Sequence, residues 1–225
     1  MILKQAIGPI LKGMFTVTIP IAVLSCLAGL LLSFVLIIMR YSRFKWFQYF
    51  SKGIVWIIRG LPLLVILYFL FFGLAEFNIF LSSWTTALIA FTLFEAASMS
   101  EAIRGALQAV DRGQWEAGLS LGLTKYDVFK KIIIPQGIPP VISTLIGYFI
   151  SAIKLTSLVS NIALSDMLLA GKQFIDFYYA PFLIYMLLGF FYLVLFAILT
   201  FIQNKVNRFF NNEREDLLAK FLMNE

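Results

Sequence analysis

Five stretches of the chain are long and apolar enough to cross a lipid bilayer. A helix rises about 1.5 Å per residue and the hydrocarbon core is about 30 Å thick, so a span takes about 20 mostly apolar residues. Phe15–Met39 runs 25 residues without a charge, too long for a signal-peptide core and with no small-residue cleavage site after it. A second stretch extends from about Gly53 to Ala75, with Arg59 in its second turn. The third covers Trp84 to Leu107 and carries Glu95, Glu101 and Arg104. A fourth begins near Ile138, after Pro135, and continues past Lys154 to Ser160; the fifth is the uncharged 28-residue run Phe177–Asn204. The pattern predicts an all-α membrane protein with five transmembrane helices in a single domain over residues 1–225. Residues before Phe15 read as a short amphipathic lead-in at the outer interface. In the tail, Phe210, Leu217, Leu218, Phe221 and Leu222 form a helical stripe that reads either as a membrane- or partner-binding surface or as a frayed end.

Composition removes most enzyme chemistry. The 225 residues are 61% hydrophobic and 13% charged, against about 25% charge in ordinary globular proteins. With no histidine and a single cysteine, Cys26, there is no zinc cluster, no Ser-His-Asp or Cys-His nucleophile and no internal disulfide. Neither a G-x-x-x-x-G-K-[ST] phosphate loop nor a G-x-G-x-x-G turn occurs, so any ATP chemistry belongs to a partner. The chain is expected not to be an enzyme and to bind no cofactor.

The net charge of +6 does not point to nucleic acid, because the basic residues lie in short loops rather than on one soluble face. They set topology instead. Residues 40–59 hold Arg40, Arg43, Lys45, Lys52 and Arg59; residues 104–131 hold Arg104, Arg112, Lys125, Lys130 and Lys131; the tail holds Lys205, Arg208, Arg214 and Lys220. These 14 of the 18 Lys and Arg residues belong on one side, which the positive-inside rule makes the cytoplasm. Lys4, Lys12 and Lys172 fall on the other side. Five spans with the N-terminus outside and the C-terminus inside satisfy this arrangement.

The longest polar stretch, residues 104–140, joins the third and fourth spans. Gly113 is expected to break one helix, and Gln114 to Leu121 to form a short second one that Gly122 terminates. A further amphipathic turn carries Tyr126, Phe129 and Lys130, and Pro135 is expected to stop it. On pattern alone the stretch is either a plain interfacial connector or a docking element for another protein.

Here the sequence resembles a family. Glu116, Ala117 and Gly118, three residues, Gly122, nine residues, Ile132, one residue, then Ile134 and Pro135 resemble the loop signature of ABC importer permeases, E-A-A-x3-G-x9-I-x-L-P. Gly118 replaces the second alanine and Ile134 the leucine. RGLPLLV from Arg59, SEAIRGALQAVDRGQWEAG from Ser100 and KLTSLVS from Lys154 resemble stretches of polar amino acid permeases. The likeness covers about Gly13 to Leu168. It implies the type I ABC importer permease fold, a multi-pass protein of the bacterial cell (inner) membrane with a cytoplasmic coupling loop, residues 108–137. By that resemblance Gly113, Gln114, Glu116, Ala117, Gly118, Leu121 and Gly122 couple to ABC ATPase subunits, which would bind ATP and Mg. A second permease subunit, identical or homologous, and an extracytoplasmic amino-acid-binding protein are the other implied partners. ATP-driven alternating access would then carry a polar or cationic amino acid into the cytoplasm.

Ionisable groups inside a span cost several kcal/mol unless paired or hydrated, which makes them functional candidates. Glu95 lies about 11 residues, roughly 17 Å, from the outer start of its span, close to the midplane. It shares a helical face with Leu88, Phe91, Ser98 and Ala102. A ring, a carboxylate and a hydroxyl in one stripe suit an ammonium or guanidinium group; the other reading is a purely structural carboxyl. Glu101 stands at i,i+3 spacing to Arg104, and with Arg59 these residues are read as structural or gating. Lys154, followed by Thr156 and Ser157 in a segment expected to unwind in part, either receives a substrate carboxylate or neutralises an acidic residue. Two further function classes are consistent with the pattern alone: an ATPase-independent channel or ion-coupled carrier, and a membrane anchor for a signalling ATPase.

Overall fold

In a computed structural model of the chain, the backbone is described for residues 2–222 and side chains for residues 2–210. All regular structure among the described residues is helical. The hydrophobic stripe of the tail, apart from Phe210, lies outside the described side chains. In chain order the helices are α1 (Ile2–Gly13), α2 (Ile19–Arg40), α3 (Lys45–Gly60), α4 (Leu63–Tyr68), α5 (Ser83–Gln108), α6 (Arg112–Ser120), α7 (Lys125–Val128), α8 (Ile134–Leu155), α9 (Met167–Tyr178) and α10 (Pro181–Leu222). Four helical runs are long and apolar enough to cross a membrane, and a fifth is completed by α3 and α4 if that bent pair counts as one span.

The boundaries depart from the sequence reading in four places, each with a local cause. The first run is one continuous helix from Ile2 to Arg40, so the lead-in merges with the span. Between α1 and α2 the turn Met14–Thr18 is wound one residue wider than an α-turn, and the Ile19 N–H reaches back five residues to the Met14 carbonyl. Pro20 follows directly. Proline has no N–H and its ring crowds the preceding turn, and the widened turn in front of Pro20 gives the ring room; Pro9, Pro139 and Pro140 lie inside helices without one. The same device explains why Pro135 does not stop the loop as expected: the turn Phe129–Ile133 is widened, the Ile134 N–H bonds to the Phe129 carbonyl, and the helix passes through Pro135 into α8. The second span is broken, not straight. Leu61 and Pro62 are extended, as proline imposes on itself and its predecessor, and α3 meets α4 and its continuation at 103°. The fifth span starts at Pro181 rather than Phe177, because Tyr179 adopts a left-handed conformation (φ 52°) that closes α9.

The chain divides into two compact units. The first comprises residues up to 101 and 148–195. Its main core joins Ile21 of α2, Leu63 and Leu67 of α4, Ala87 and Phe91 of α5, and Val159 and Ile162. A second cluster packs Ala6, Ile10 and Met14 against Met167, Ala170, Ile184 and Leu188. At that contact a Cβ on Gly13 would lie 2.7 Å from the Asp166 carbonyl, so α1 reaches α9 at backbone distance. A third cluster sets Leu36, Val55, Ala96 and Ala97 together, and the Ser51 hydroxyl donates to the Leu36 carbonyl at 2.7 Å to fix α3 on α2. The second unit, residues 102–147 and 196 onwards, holds α6, α7 and portions of α5, α8 and α10. There Gln203 Nε2 donates to the Ser143 carbonyl at 3.0 Å, and Gly137 accommodates Leu107.

Asp166 is fully buried at the start of α9, where its two carboxylate oxygens accept from the Leu168 and Leu169 N–H groups at 3.1 and 2.9 Å. Burial raises its pKa from 3.8 to about 6, a rise that these backbone bonds and Lys172 only partly offset. A carboxyl whose pKa is higher in the folded than in the unfolded protein contributes stability that is full below about pH 4 and is lost as pH rises through about 6. The melting temperature of the wild type should therefore fall across this window. Asp166→Asn keeps a capping oxygen without a titrating proton, and its melting temperature should lack that descent; parallel curves for both proteins would refute the assignment.

Candidate functional site

Two features hold most of the residues singled out by the sequence: a loop helix in the second unit and a buried carboxyl in the first. The loop helix is built by caps. Asp111 Oδ1 accepts from the Gly113 N–H at 2.6 Å and opens α6. Gly113 thus lies in the first turn of α6 rather than breaking the preceding helix, and the break falls just before it, at residues 109–111. Gly122 has φ +80°, the left-handed conformation expected of a helix-ending glycine. The Gly122 and Leu123 N–H groups turn back to the Leu119 and Gly118 carbonyls at 3.0 and 3.2 Å.

Thr124 then caps α7: its hydroxyl accepts from the Asp127 N–H at 3.1 Å and donates to Asp127 Oδ2 at 2.6 Å. Lys131 closes on Asp127 at 2.8 Å. Gln114 accepts from Gln136 Nε2 at 3.1 Å, tying the start of α6 to the start of α8.

Gly118 is buried under α7. A Cβ there would stand 2.7 Å from Val128 Cγ2 and 3.0 Å from Ile132 Cδ1, so glycine is what allows α6 to seat on this pair. Seating that face turns Glu116, Ala117 and Leu121 outwards, and Leu121 is 80% exposed. The sequence reading missed Asp111, Thr124 and Val128; the Thr124-x-x-Asp127 spacing was a usable capping signal.

In the first unit, Phe91, Glu95 and Ser98 are brought together on a face of α5 that is entirely buried, with Glu95 only 1% exposed. Opposite lies the small-residue face of α2. A Cβ on Gly29 would be 2.8 Å from Glu95 Cβ and 3.2 Å from the Ala96 nitrogen, so the two helices touch there. The serines flanking this contact do not serve the carboxyl: Ser25 and Ser33 donate to the Ala22 and Leu30 carbonyls of their own helix. Both Glu95 oxygens are without a hydrogen-bond partner among the described residues. Among the described residues no hydrogen bond joins Glu95 to Lys154.

Lys154, in the last turn of α8, is exposed, and the segment beyond it, expected to unwind in part, instead stays helical and tightens into the turn Thr156–Ile162. The Thr156 and Ser157 hydroxyls are turned onto the Ile153 and Lys154 carbonyls at 2.7 and 2.9 Å. Glu101 Oε2 accepts from Arg40 at 2.9 Å, a partner 61 residues away that no local spacing reveals. Arg104 donates to Gln108, and Arg59 ends α3, exposed.

A multi-span helical fold with a capped, outward-facing loop helix defines a membrane permease component. The chain belongs to the family described as "binding-protein-dependent transport system inner membrane component", which it matches over residues 29–212. It is 33% identical over 211 residues to the L-cystine transport system permease protein TcyB of Bacillus subtilis, covering 92% of this chain and 89% of that protein. To the arginine transport system permease protein ArtQ of the same organism it is 32% identical over 200 residues, covering 88% and 91%. A crystal structure of an amino acid ABC transporter with histidines superposes with a TM-score of 0.87 at 27% identity, over 92% of this chain and 96% of that one. The MetNI methionine ABC transporter, at 16% identity and a TM-score of 0.68, shares the fold.

Gly118→Ala, which restores the alanine of the loop signature, should destabilise this protein by about 1–3 kcal/mol, since overpacking a filled contact forces its neighbours aside. Adding Val128→Ala should recover most of the loss in a thermal melt. A Gly118→Ala protein as stable as wild type would show that the loop has slack the packing does not display.

Proposed function

We propose that this chain is the membrane-embedded half of an ATP-driven importer that takes polar amino acids, zwitterionic or cationic, into the cytoplasm. The observation that carries the reading is α6, a short helix capped at both ends and clamped through Gly118, whose Glu116–Ala117–Leu121 face has no partner among the described residues. ATPase subunits, with ATP and Mg, would seat on that face. Closure of the ATPases would then move α6 with α7 and α8, to which it is joined by packing and by the Gln114–Gln136 bond. A second permease chain and an extracytoplasmic binding protein complete the machine. The N-terminus faces outside, and the loop and C-terminal tail face the cytoplasm, as the basic residues direct.

Glu95 gives the pathway its specificity. A buried carboxylate with no hydrogen bond is held at a cost of several kcal/mol, and a countercharge entering with the substrate relieves it. The relatives named for cystine and for arginine both carry substrates with an α-ammonium group, and arginine adds a guanidinium. Substrate reaches Glu95 when α2 and α5 part at Gly29.

Two outcomes test the reading. Glu116→Lys or Gly122→Asp should leave the subunit inserted yet release the ATPases and abolish substrate-stimulated ATP hydrolysis in vesicles; normal uptake by either variant would sink the coupling role. Glu95→Gln keeps the shape and removes the charge. It should weaken handling of arginine or lysine about ten- to a hundred-fold more than that of a neutral amino acid, the 1.5–3 kcal/mol typical of a hydrogen bond to a charged group. An unchanged preference with a lowered melting temperature would assign Glu95 a structural role.

A further inference from the structure

The bend between α3 and α4 leaves a basic groove in the first unit. α3 meets α4 and its continuation to Phe77 at 103°, so the two cannot both run along the membrane normal, and we place α3 near the bilayer plane. Its sequence suits that position: Ser51 and Val55 face the protein, while Trp46, Tyr49, Phe50 and Trp56 are exposed, and aromatic side chains of this kind collect at membrane surfaces. Residues 40–60 contain Arg40, Arg43, Lys45, Lys52 and Arg59 and no Asp or Glu.

Tyr49, Lys52, Trp56 and Arg59 follow one another at three- and four-residue spacing, so they form one stripe of α3. Together with Arg40 and Glu101 they line a groove of about 740 Å³. Arg40 is engaged by Glu101 at 2.9 Å. Lys52 and Arg59 have no carboxylate bonded to them among the described residues, and the Lys52 ammonium instead lies 5.8 Å from the centre of the Tyr49 ring. Gly53 and Gly60 also line the groove, and a Cβ on either would meet nothing within 4 Å. The stripe is thus open between its two free cations, with aromatic rings beside them.

We propose that this groove binds the phosphodiester of an anionic phospholipid, with Lys52 and Arg59 as its countercharges and Tyr49 and Trp56 against the glycerol and the start of the acyl chains. The proposal rests on the membrane-spanning reading of α4 but not on which leaflet α3 occupies. A soluble phosphate would meet the same two cations and gain nothing from the rings.

The test uses the assembled transporter in phosphatidylcholine nanodiscs doped with phosphatidylglycerol, extracted gently and weighed by native mass spectrometry. Wild type should retain phosphatidylglycerol. Lys52→Gln with Arg59→Gln should bind it about twenty- to thirty-fold more weakly, about five-fold for each cation lost at an anionic surface. Lys52→Arg with Arg59→Lys should retain it, and so should Lys4→Gln with Lys172→Gln, which removes equal charge elsewhere. Gly53→Leu fills the open floor without changing charge and should also lose the lipid.

Retention unchanged in the double glutamine variant or in Gly53→Leu would overturn the proposal. So would displacement of the lipid by inorganic phosphate, or release of the ATPase by Gly53→Leu with lipid retained, which would make the groove a protein interface. Phe47→Cys in a Cys26→Ser background, probed with an impermeant thiol reagent, reports separately which side of the membrane α3 faces. A wrong topology and a wrong lipid site therefore give different results.

Discussion

An amide or carbonyl in hydrocarbon has no water to bond, so every backbone group that leaves the α-helical ladder inside a membrane must be satisfied on the spot. Much of the detail in this chain answers that requirement. At two Ile-Pro steps inside long helices, Ile19–Pro20 and Ile134–Pro135, the turn ahead of the proline is widened and the isoleucine N–H still finds a carbonyl. Around α9 the ends are closed in this way: Asp166 caps its start, and the left-handed residues Ala163 and Tyr179 close the preceding segment and α9 itself.

The second demand is close approach. Lipid tails are as apolar as leucine, so helices gain by packing at short range, through small residues. Gly13 against Asp166, Gly29 against Glu95 and Gly171 against Leu188 are three such contacts in the first unit. The one at Gly29 has chemical force because it seals an acidic group.

Span number, the loop helix and its glycine stop were legible in the sequence because each depends on residues close together: an apolar run, a cap, a positive-φ glycine. The break at Leu61–Pro62 was legible in principle, since proline forces its predecessor to extend, but the apolar run continued across it and masked the bend. Long-range pairings left no local trace. Arg40 is 61 residues from Glu101, and the seat of Gly118 is made by Val128 and Ile132, whose apolar character alone does not say what they touch. Counting residues puts Glu95 near the middle of its span; its enclosure by α2 was not legible, because it depends on where another helix lies.

The widened turn before Pro20 has a consequence for how amphipathic character is written along the first helix. Ile10, Met14, Thr18, Ala22 and Cys26 are all buried, at every fourth residue. On a regular α-helix such a stripe would drift by about 40° at each step and travel roughly 160° around the cylinder, well off any single neighbour. A turn holding one extra residue takes back about 100° of that drift. The helix thereby keeps the stripe within a narrower arc while its partners change, from α9 and α10 beside Ile10 and Met14 to α4 and α5 beside Val17 and Ile21, and its inward face is found only when the count is allowed to slip by one within Met14–Thr18.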